Sequence, residues 1–211
     1  KIYSDKCEEN NFSILCEKYF TDKGGLIKKN NDRNFHFYSN FYDDYFKNKK
    51  QNVRLVFECG IGSQNNKIQS NTVNHGKPGA SLRVFRDYFK NAKIFGADID
   101  KEILFNEDRI STYYTDQLSI EEINNMWATI KEENFDLIVD DGLHTYEAAY
   151  NFFKNSYPKL KYGGLYIIED VHVAYLKKLT KSLKEFNPMI ITSSKVKNID
   201  DYLIFIKKVK S

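Results

Sequence analysis

The stretch Leu55-Val56-Phe57-Glu58-Cys59-Gly60-Ile61-Gly62 consists of a short, mostly apolar run that ends in two glycines. Such a run is typical of a buried strand, and glycine lets the backbone turn sharply and approach a bound molecule closely. Ligands of open α/β sheets bind beyond the carboxyl ends of the strands. The stretch therefore predicts a strand followed by a ligand-binding turn, although a tight turn without a ligand explains Gly60 and Gly62 equally well.

Apolar runs alternate with helical patterns from residue 53 onward, which favours an α/β domain with a parallel sheet covered by helices on both faces. The predicted strands are 54–59, 93–97, 112–115, 135–139, 165–168, 189–192 and 202–209. The predicted helices are 80–90, 120–133, 145–157 and 174–186. The polar connection 193–201 is too short for a helix, so the last two strands are expected to be antiparallel.

The first 52 residues have a different pattern from the rest of the chain. Apolar positions recur at helical spacing over 11–20 and 38–46, and a glycine turn at 21–25 follows the first of these segments. We predict a helical cap over 1–52 in front of a cofactor-binding domain over 53–211. The many aromatic residues of this cap are expected to form its core, with stacking against a sugar or a base as an alternative.

Composition excludes several classes of protein. The 211 residues are 41% hydrophobic and 29% charged, and the formal net charge of +3 is too small and too dispersed for a nucleic-acid partner. Cys7, Cys16 and Cys59 form no paired motif, which favours reduced thiols and a cytoplasmic protein. No apolar run approaches the roughly 20 residues of a membrane span. The sequence leaves a homo-oligomer open.

Acidic residues follow the next two predicted strands. Asp98 lies where a ribose diol would be bound, and an ionised carboxylate can accept both hydroxyl protons. Asp116 lies where it could accept from an adenine amino group, although either acid could instead cap a helix or a turn. The predicted cofactor-binding residues are Glu58, Gly60, Gly62, Ser63, Asp98, Asp116, Gln117 and Asp140.

An unusually long loop follows the glycine turn, from Ser63 to Gly79. Long loops without regular structure in compact domains are commonly functional lids or mobile segments. Ser63, His75 and Lys77 are candidates to cover a bound cofactor or acceptor.

Each of two later strands ends in a pair of carboxylates with a histidine nearby, in Asp140-Asp141-Gly142-Leu143-His144 and Glu169-Asp170-Val171-His172. Neighbouring strands lie about 4.8 Å apart, so the two pairs would converge at one edge of the sheet. Converging anions require a proton or a cation, and Mg²⁺ prefers oxygen ligands. Either histidine could serve as a general base, whereas single acids of each pair could merely cap the following helix.

The motifs between Phe57 and His172 resemble the metal-dependent, mycinamicin-type O-methyltransferases of bacterial sugars and macrolides. The matching segments are 58–62, 79–83, 96–100, 140–144 and 169–172. The resemblance implies a Rossmann-like class I methyltransferase sheet with S-adenosylmethionine (SAM) as cofactor. It also implies Mg²⁺ held by Asp140, Glu169 and Asp170, with His172 as the base. His144 is the alternative base, and Asp141 completes the catalytic set.

The expected reaction is methyl transfer from SAM to a hydroxyl of a sugar or nucleotide-activated sugar, in capsule or natural-product synthesis. A phosphoramidate-type capsule modification is an alternative acceptor. The N-terminal third does not resemble the auxiliary domain of the macrolide enzymes. A nicotinamide-dependent oxidoreductase is disfavoured by the missing third glycine and the expected antiparallel end of the sheet. A non-catalytic binding module would not need the four acids.

Overall fold

The computed structural model describes residues 1–3, 8–24, 36–71, 76–193 and 202–210. In these residues nine strands form one sheet in the order β1-β8-β9-β7-β6-β2-β3-β5-β4. The strands are β1 (Ile2–Tyr3), β2 (Leu55–Cys59), β3 (Lys93–Asp98), β4 (Asn106–Glu107), β5 (Ile110–Tyr114), β6 (Phe135–Asp140), β7 (Leu160–Ile168), β8 (Met189–Ser193) and β9 (Tyr202–Lys207). The helices are α1 (Asn11–Tyr19), α2 (Tyr38–Phe46), α3 (Ala80–Tyr88), α4 (Ile120–Ile130), α5 (Tyr146–Ser156) and α6 (Val173–Ser182).

The sheet confirms the predicted α/β class. Strand β2 pairs in parallel with both β3 and β6, so the chain order reverses on either side of β2. Strand β9 is antiparallel to both of its neighbours, β7 and β8, as the short polar connection before it predicts. Most of connection 193–201 lies outside the described residues.

The largest boundary error of the sequence-based prediction is at β7, which begins at Leu160 rather than at Leu165. Gly163 and Gly164 come directly before the predicted strand. In the structure Gly163 takes a φ of +81°, and its amide donates to the carbonyl of Lys208 at 2.7 Å. The strand therefore continues through both glycines, because β9 and the residues after it supply the hydrogen-bonding partners.

The cap helices share a hydrophobic core with one face of the sheet. Phe12 of α1 stacks on Tyr42 of α2 at 4.8 Å between ring centroids and contacts Phe85 of α3 at 5.8 Å. Replacing a fully buried Phe by Ala typically costs about 3–5 kcal/mol, so these contacts hold the cap firmly in place. Whether residues 1–52 form a separate unit stays a prediction.

A second core lies on the other face, where α4, α5 and α6 cover the sheet. Cys59 is buried in this second core and Cys16 in the first, whereas Cys7 lies outside the described residues. Within the described ranges, every helix is too short or too polar to cross a bilayer.

Candidate active site

The carboxyl ends of the central strands open into a cavity of about 1120 Å³. Its walls come from residues 60–62 after β2, 98–99 after β3, 115–118 after β5, 141–144 after β6, and Asp170 after β7. The cap adds 20–23 and His36. Small-molecule sites commonly measure about 300–1,000 Å³, so this cavity has room for a cofactor together with a small acceptor.

The glycine turn lies at the centre of the cavity wall. Gly60 has a φ of +85°, and a Cβ atom there would lie 1.9 Å from the carbonyl oxygen of Asp141. Gly60 is therefore required by the close approach of the chain after β6, as well as by any bound molecule. Gly62, with a φ of +88°, also lines the cavity.

Asp98 reaches the cavity from the end of β3 and also braces the glycine turn. Its Oδ2 accepts from the amide of Ile61 at 2.9 Å, and its Oδ1 accepts from the amide of Asp100 at 2.9 Å. Burial raises the pKa of Asp98 above its ordinary value, against the effect of these bonds. Each carboxylate oxygen has a second lone pair, so Asp98 can still accept from a hydroxyl of a ligand.

Asp116 and Gln117 both line the cavity after β5. Asp116 Oδ1 accepts from the amide of Leu118 at 2.8 Å, which holds the turn. Gln117 donates from Nε2 to Asp140 Oδ1 at 2.6 Å and accepts at Oε1 from the amide of Leu143 at 2.8 Å. Gln117 thereby fixes the chain after β6 next to the cavity.

The other three predicted cofactor residues are buried behind the cavity lining. Asp140 is 3% exposed, and burial raises its pKa to about 6, although the hydrogen bond from Gln117 acts in the opposite direction. Ser63 donates to Asp100 Oδ2 at 2.5 Å, and Glu58 accepts from the hydroxyl of Ser81. These side chains support the loops that form the cavity wall.

Three groups converge at the cavity wall after β6 and β7. Asp141, His144 and Asp170 each offer one ligand atom, and these atoms all lie within 4.8 Å of one another. His144 has a φ of +57° and Asp170 a φ of +50°. This left-handed conformation is uncommon outside glycine and costs energy, and such residues cluster at functional sites.

Of the predicted metal ligands, only Asp170 belongs to this cluster. Asp140 is held by Gln117 below the surface of the cavity, and Glu169 is fully buried against the cap. The described residues therefore bring together Asp141, His144 and Asp170, rather than Asp140, Glu169 and Asp170.

His172, the predicted base, caps a helix in the part of the chain that the structure describes. It is the N-cap of α6, and its Nδ1 accepts from the amide of Ala174 at 3.1 Å. The cavity lining includes His144 and does not include His172. The geometry thus favours His144, the alternative candidate for the base.

The cap contributes further side chains that the sequence did not point to, among them Lys23, Tyr38 and Tyr42, and His36 Nε2 lies 3.6 Å from Asp170 Oδ1. Lys23 is 2% exposed; its Nζ lies 2.5 Å from Asp141 Oδ2 and 3.2 Å from Glu58 Oε1, and it also contacts Glu169. Tyr42 donates to Glu169, and Tyr38 donates to Asp170 Oδ1 at 2.6 Å. Local pattern could not reveal these contacts, because the partners lie far apart in the chain, by more than a hundred positions in every pair except Lys23 with Glu58.

Lys23 and the three acids around it form a buried group of charged side chains, whose contacts shift the pKa values of Lys23, Glu58 and Glu169. Burial lowers the pKa of Lys23, but the carboxylates of Asp141, Glu169 and Glu58 outweigh this effect and raise it well above its ordinary value. Burial raises the pKa of Glu58 to about 7, and it raises that of Glu169 well above its ordinary value. The ammonium of Lys23 therefore remains charged within an acidic pocket.

Part of the long loop reaches the cavity, in line with a covering role. Residues 67–71 and Lys77 line it. His75 lies outside the described residues, and Ser63 faces Asp100 instead.

Comparison with known proteins identifies the domain built around this cavity. Residues 74–171, which include Asp98, Asp116 and the Asp141–Asp170 cluster, match the family model Methyltransf_24, a methyltransferase domain. This chain contains a methyltransferase domain. The match begins after the glycine turn and excludes the cap.

Three curated relatives that match this chain are named as O-methyltransferases. They are an 8-demethyl-8-(2-methoxy-alpha-L-rhamnosyl)-tetracenomycin-C 3'-O-methyltransferase of Streptomyces olivaceus, the mycinamicin VI 2''-O-methyltransferase of Micromonospora griseorubida and the demethylmacrocin O-methyltransferase of Streptomyces fradiae. Identities are 29%, 29% and 30% over 76%, 77% and 76% of this chain. The matched regions span only 37%, 36% and 36% of the relatives.

Solved structures give the same fold. The MycE methyltransferase of the mycinamycin pathway, in complex with Mg and SAH, superposes with a TM-score of 0.70 at 24% identity, over 96% of this chain and 56% of that one. Its complex with Mg, SAH and mycinamycin VI gives a TM-score of 0.69 at 24% identity, over 98% of this chain and 56% of that one. The methyltransferase domain therefore has the class I methyltransferase fold that the motifs predict.

Proposed function

We propose that this chain is a SAM-dependent O-methyltransferase that acts on a sugar hydroxyl of a glycosylated small molecule. The observation that carries the proposal is the convergence of Asp141, His144 and Asp170 beside the glycine turn, within one cavity. The named relatives are all O-methyltransferases, and the name of one gives a rhamnosyl-tetracenomycin as its substrate, which supports the choice of a glycoside over a capsule sugar as acceptor.

The cofactor half of the cavity is formed by the ends of β2, β3 and β5. The backbone at Gly60 and Gly62 leaves room for close approach, and Asp98 accepts from the ribose hydroxyls. Asp116 accepts from the adenine amino group. SAM supplies a methyl group bound to positively charged sulfur, so the protein has chiefly to position the acceptor oxygen and to remove its proton.

The acidic half of the cavity suits a divalent metal ion. Asp141 and Asp170 provide carboxylate oxygens from neighbouring strand ends, which is the donor chemistry that Mg²⁺ prefers. When bound, the ion would polarise the acceptor oxygens as a Lewis acid. The buried positions of Asp140 and Glu169 lead us to assign the metal-binding role to Asp141 and Asp170.

His144 is the side chain placed to take the proton of the acceptor hydroxyl. It belongs to the same cluster as Asp141 and Asp170, and it lines the cavity. The hydroxyl oxygen forms the new bond to the methyl carbon while the bond from that carbon to sulfur breaks. The proton of the hydroxyl goes to the imidazole of His144, and the sulfur leaves as a neutral thioether.

The test is methyl transfer to defined acceptors in the presence of SAM and Mg²⁺. Mycinamicin VI, rhamnosylated tetracenomycin and a set of nucleotide-activated sugars would each be incubated with the full chain, and products would be examined by mass spectrometry for one added methyl group. Methylation of a glycoside, lost in the His144→Ala variant, is expected. If the chain binds NAD by calorimetry and not SAM, the proposal is wrong.

A further inference from the structure

Lys23 differs from the other lysines of the cavity wall because it is buried among acids. It comes from the turn after α1, outside residues 74–171 that match the family model. Its side chain is 2% exposed, and its ammonium contacts one oxygen each of Glu58, Asp141 and Glu169. A lysine is rarely this deeply buried unless it is paired, so these three contacts define its role.

The acids around Lys23 have few other positive partners. Apart from Lys23, Glu58 Oε1 has no hydrogen-bond donor among the described residues, and Glu169 receives, besides Lys23, the neutral hydroxyl of Tyr42. Removing one partner of a buried ion pair leaves an uncompensated charge, which is strongly destabilising. The ammonium of Lys23 is thus the resident cation that holds these carboxylates together.

Asp141 belongs to two groups at the same time. Its Oδ2 lies 2.5 Å from Lys23 Nζ, and its carboxylate is also a member of the cluster with His144 and Asp170. Two cations that share one carboxylate repel each other, and at partly buried positions this repulsion is much stronger than in water. A divalent ion at the cluster would therefore bind against the charge of Lys23.

We infer that Lys23 competes with a divalent cation for Asp141 and thereby sets the metal affinity of the site. The inference rests on the metal site proposed above. The ammonium compensates the acids when no ion is bound, and an ion must displace it from Asp141 or share that carboxylate with it. Metal affinity then depends on the cap, through the position of this one side chain.

The experiment measures Mn²⁺ binding to the full chain, without SAM or acceptor, from the electron paramagnetic resonance signal of the free ion. Lys23→Met should bind Mn²⁺ at least about 10-fold more tightly than the wild type, within the range usual for coupling between two sites. Mn²⁺ should also raise the Tm of this variant more than that of the wild type. Lys18→Met is the matched control, since Lys18 also belongs to the cap but is absent from the cavity lining and pairs with Asp87 at 2.9 Å.

A second variant is needed if Lys23→Met does not fold without metal. Lys23→Met combined with Glu58→Gln removes one positive and one negative charge, so the net charge of the buried group is kept. It too should bind Mn²⁺ more tightly than the wild type. If the wild type binds Mn²⁺ and these variants bind it equally or more weakly, the inference about Lys23 is wrong, but the proposed metal site is still supported. Failure of all the proteins to bind millimolar Mn²⁺ overturns both.

Discussion

Lys23 Nζ and Asp141 Oδ2 lie 2.5 Å apart, although 118 positions separate the two residues in the chain. The contact joins the N-terminal cap to the end of β6, where the candidate catalytic groups lie. Tyr38 and Tyr42 of α2 make similar bonds to Asp170 and Glu169. The cap is therefore part of the site, and changes in either are expected to affect the other.

The two histidines should differ in their effect on rate. His144→Ala removes the proposed base, and loss of general-base catalysis typically lowers the rate about 10²–10⁴-fold. His172→Ala removes an N-cap, so it should cost about 0.5–2 kcal/mol of stability and leave the rate almost unchanged. Steady-state rates at saturating SAM and urea unfolding distinguish the two effects. A larger rate loss in His172→Ala would return the role of base to that residue.

The acids at the ends of β6 and β7 should differ in their contribution to metal binding. Asp141→Asn and Asp170→Asn each remove a proposed ligand and should abolish Mn²⁺ binding at micromolar concentrations. Asp140→Asn should retain it, because an amide oxygen can still accept from Gln117 and the side chain is buried. Full activity after EDTA treatment, without added Mg²⁺, would contradict the metal assignment. Loss of Mn²⁺ binding in Asp140→Asn would instead restore Asp140 as a ligand.

Asp98 should control cofactor affinity. Asp98→Asn keeps one acceptor oxygen for the backbone but loses the charge, and a hydrogen bond to a charged group is worth about 1.5–3 kcal/mol. The Kd for SAM should therefore rise about 10- to 100-fold, measured by calorimetry. Asp108→Asn is the control, because Asp108 has an 87% exposed side chain. An unchanged Kd in Asp98→Asn would place the ribose elsewhere.

Docking of the cap should depend on pH through Asp87. Burial acts to raise the pKa of Asp87, but hydrogen bonds from Tyr19, Lys18 and Arg86 outweigh it and hold the pKa below its ordinary value. A carboxyl with a lowered pKa in the folded state stabilises the fold above its unfolded pKa of about 4. That contribution disappears as the pH falls towards the folded value.

Asp87→Asn should accordingly lower the free energy of unfolding by about 1–2 kcal/mol at pH 7, and by progressively less below about pH 4. Urea unfolding at several pH values measures the difference from the wild type. Glu132→Gln is a suitable control, because its partner Lys93 is exposed and such pairs contribute about 0–1 kcal/mol. A pH-independent difference for Asp87→Asn would show that its charge does not matter.

Local pattern was sufficient for most of the fold. Short apolar runs and helical periodicity predict β2, β3, β6 and helices α1 to α6, since these signals depend only on neighbouring residues. The antiparallel end of the sheet follows from one short connection. Strands β1 and β4 escaped prediction because two-residue strands have no pattern of their own.

The presence of acids and a histidine after β6 and β7, at the edge of the sheet where a cofactor turn lies, could be predicted from the sequence. Which of these side chains face the cavity depends on the tertiary structure. Asp140 is the last residue of β6 and points into the protein, whereas Asp141 lies beyond the strand. His144 and His172 each follow a pair of acids by two or three residues in the sequence. In the structure, His144 has a left-handed backbone and lines the cavity, whereas His172 caps a helix. Lys23 contacts Asp141 because the packing of α1 and α2 against α3 places the turn after α1 over the strand ends. No local sequence pattern encodes this contact.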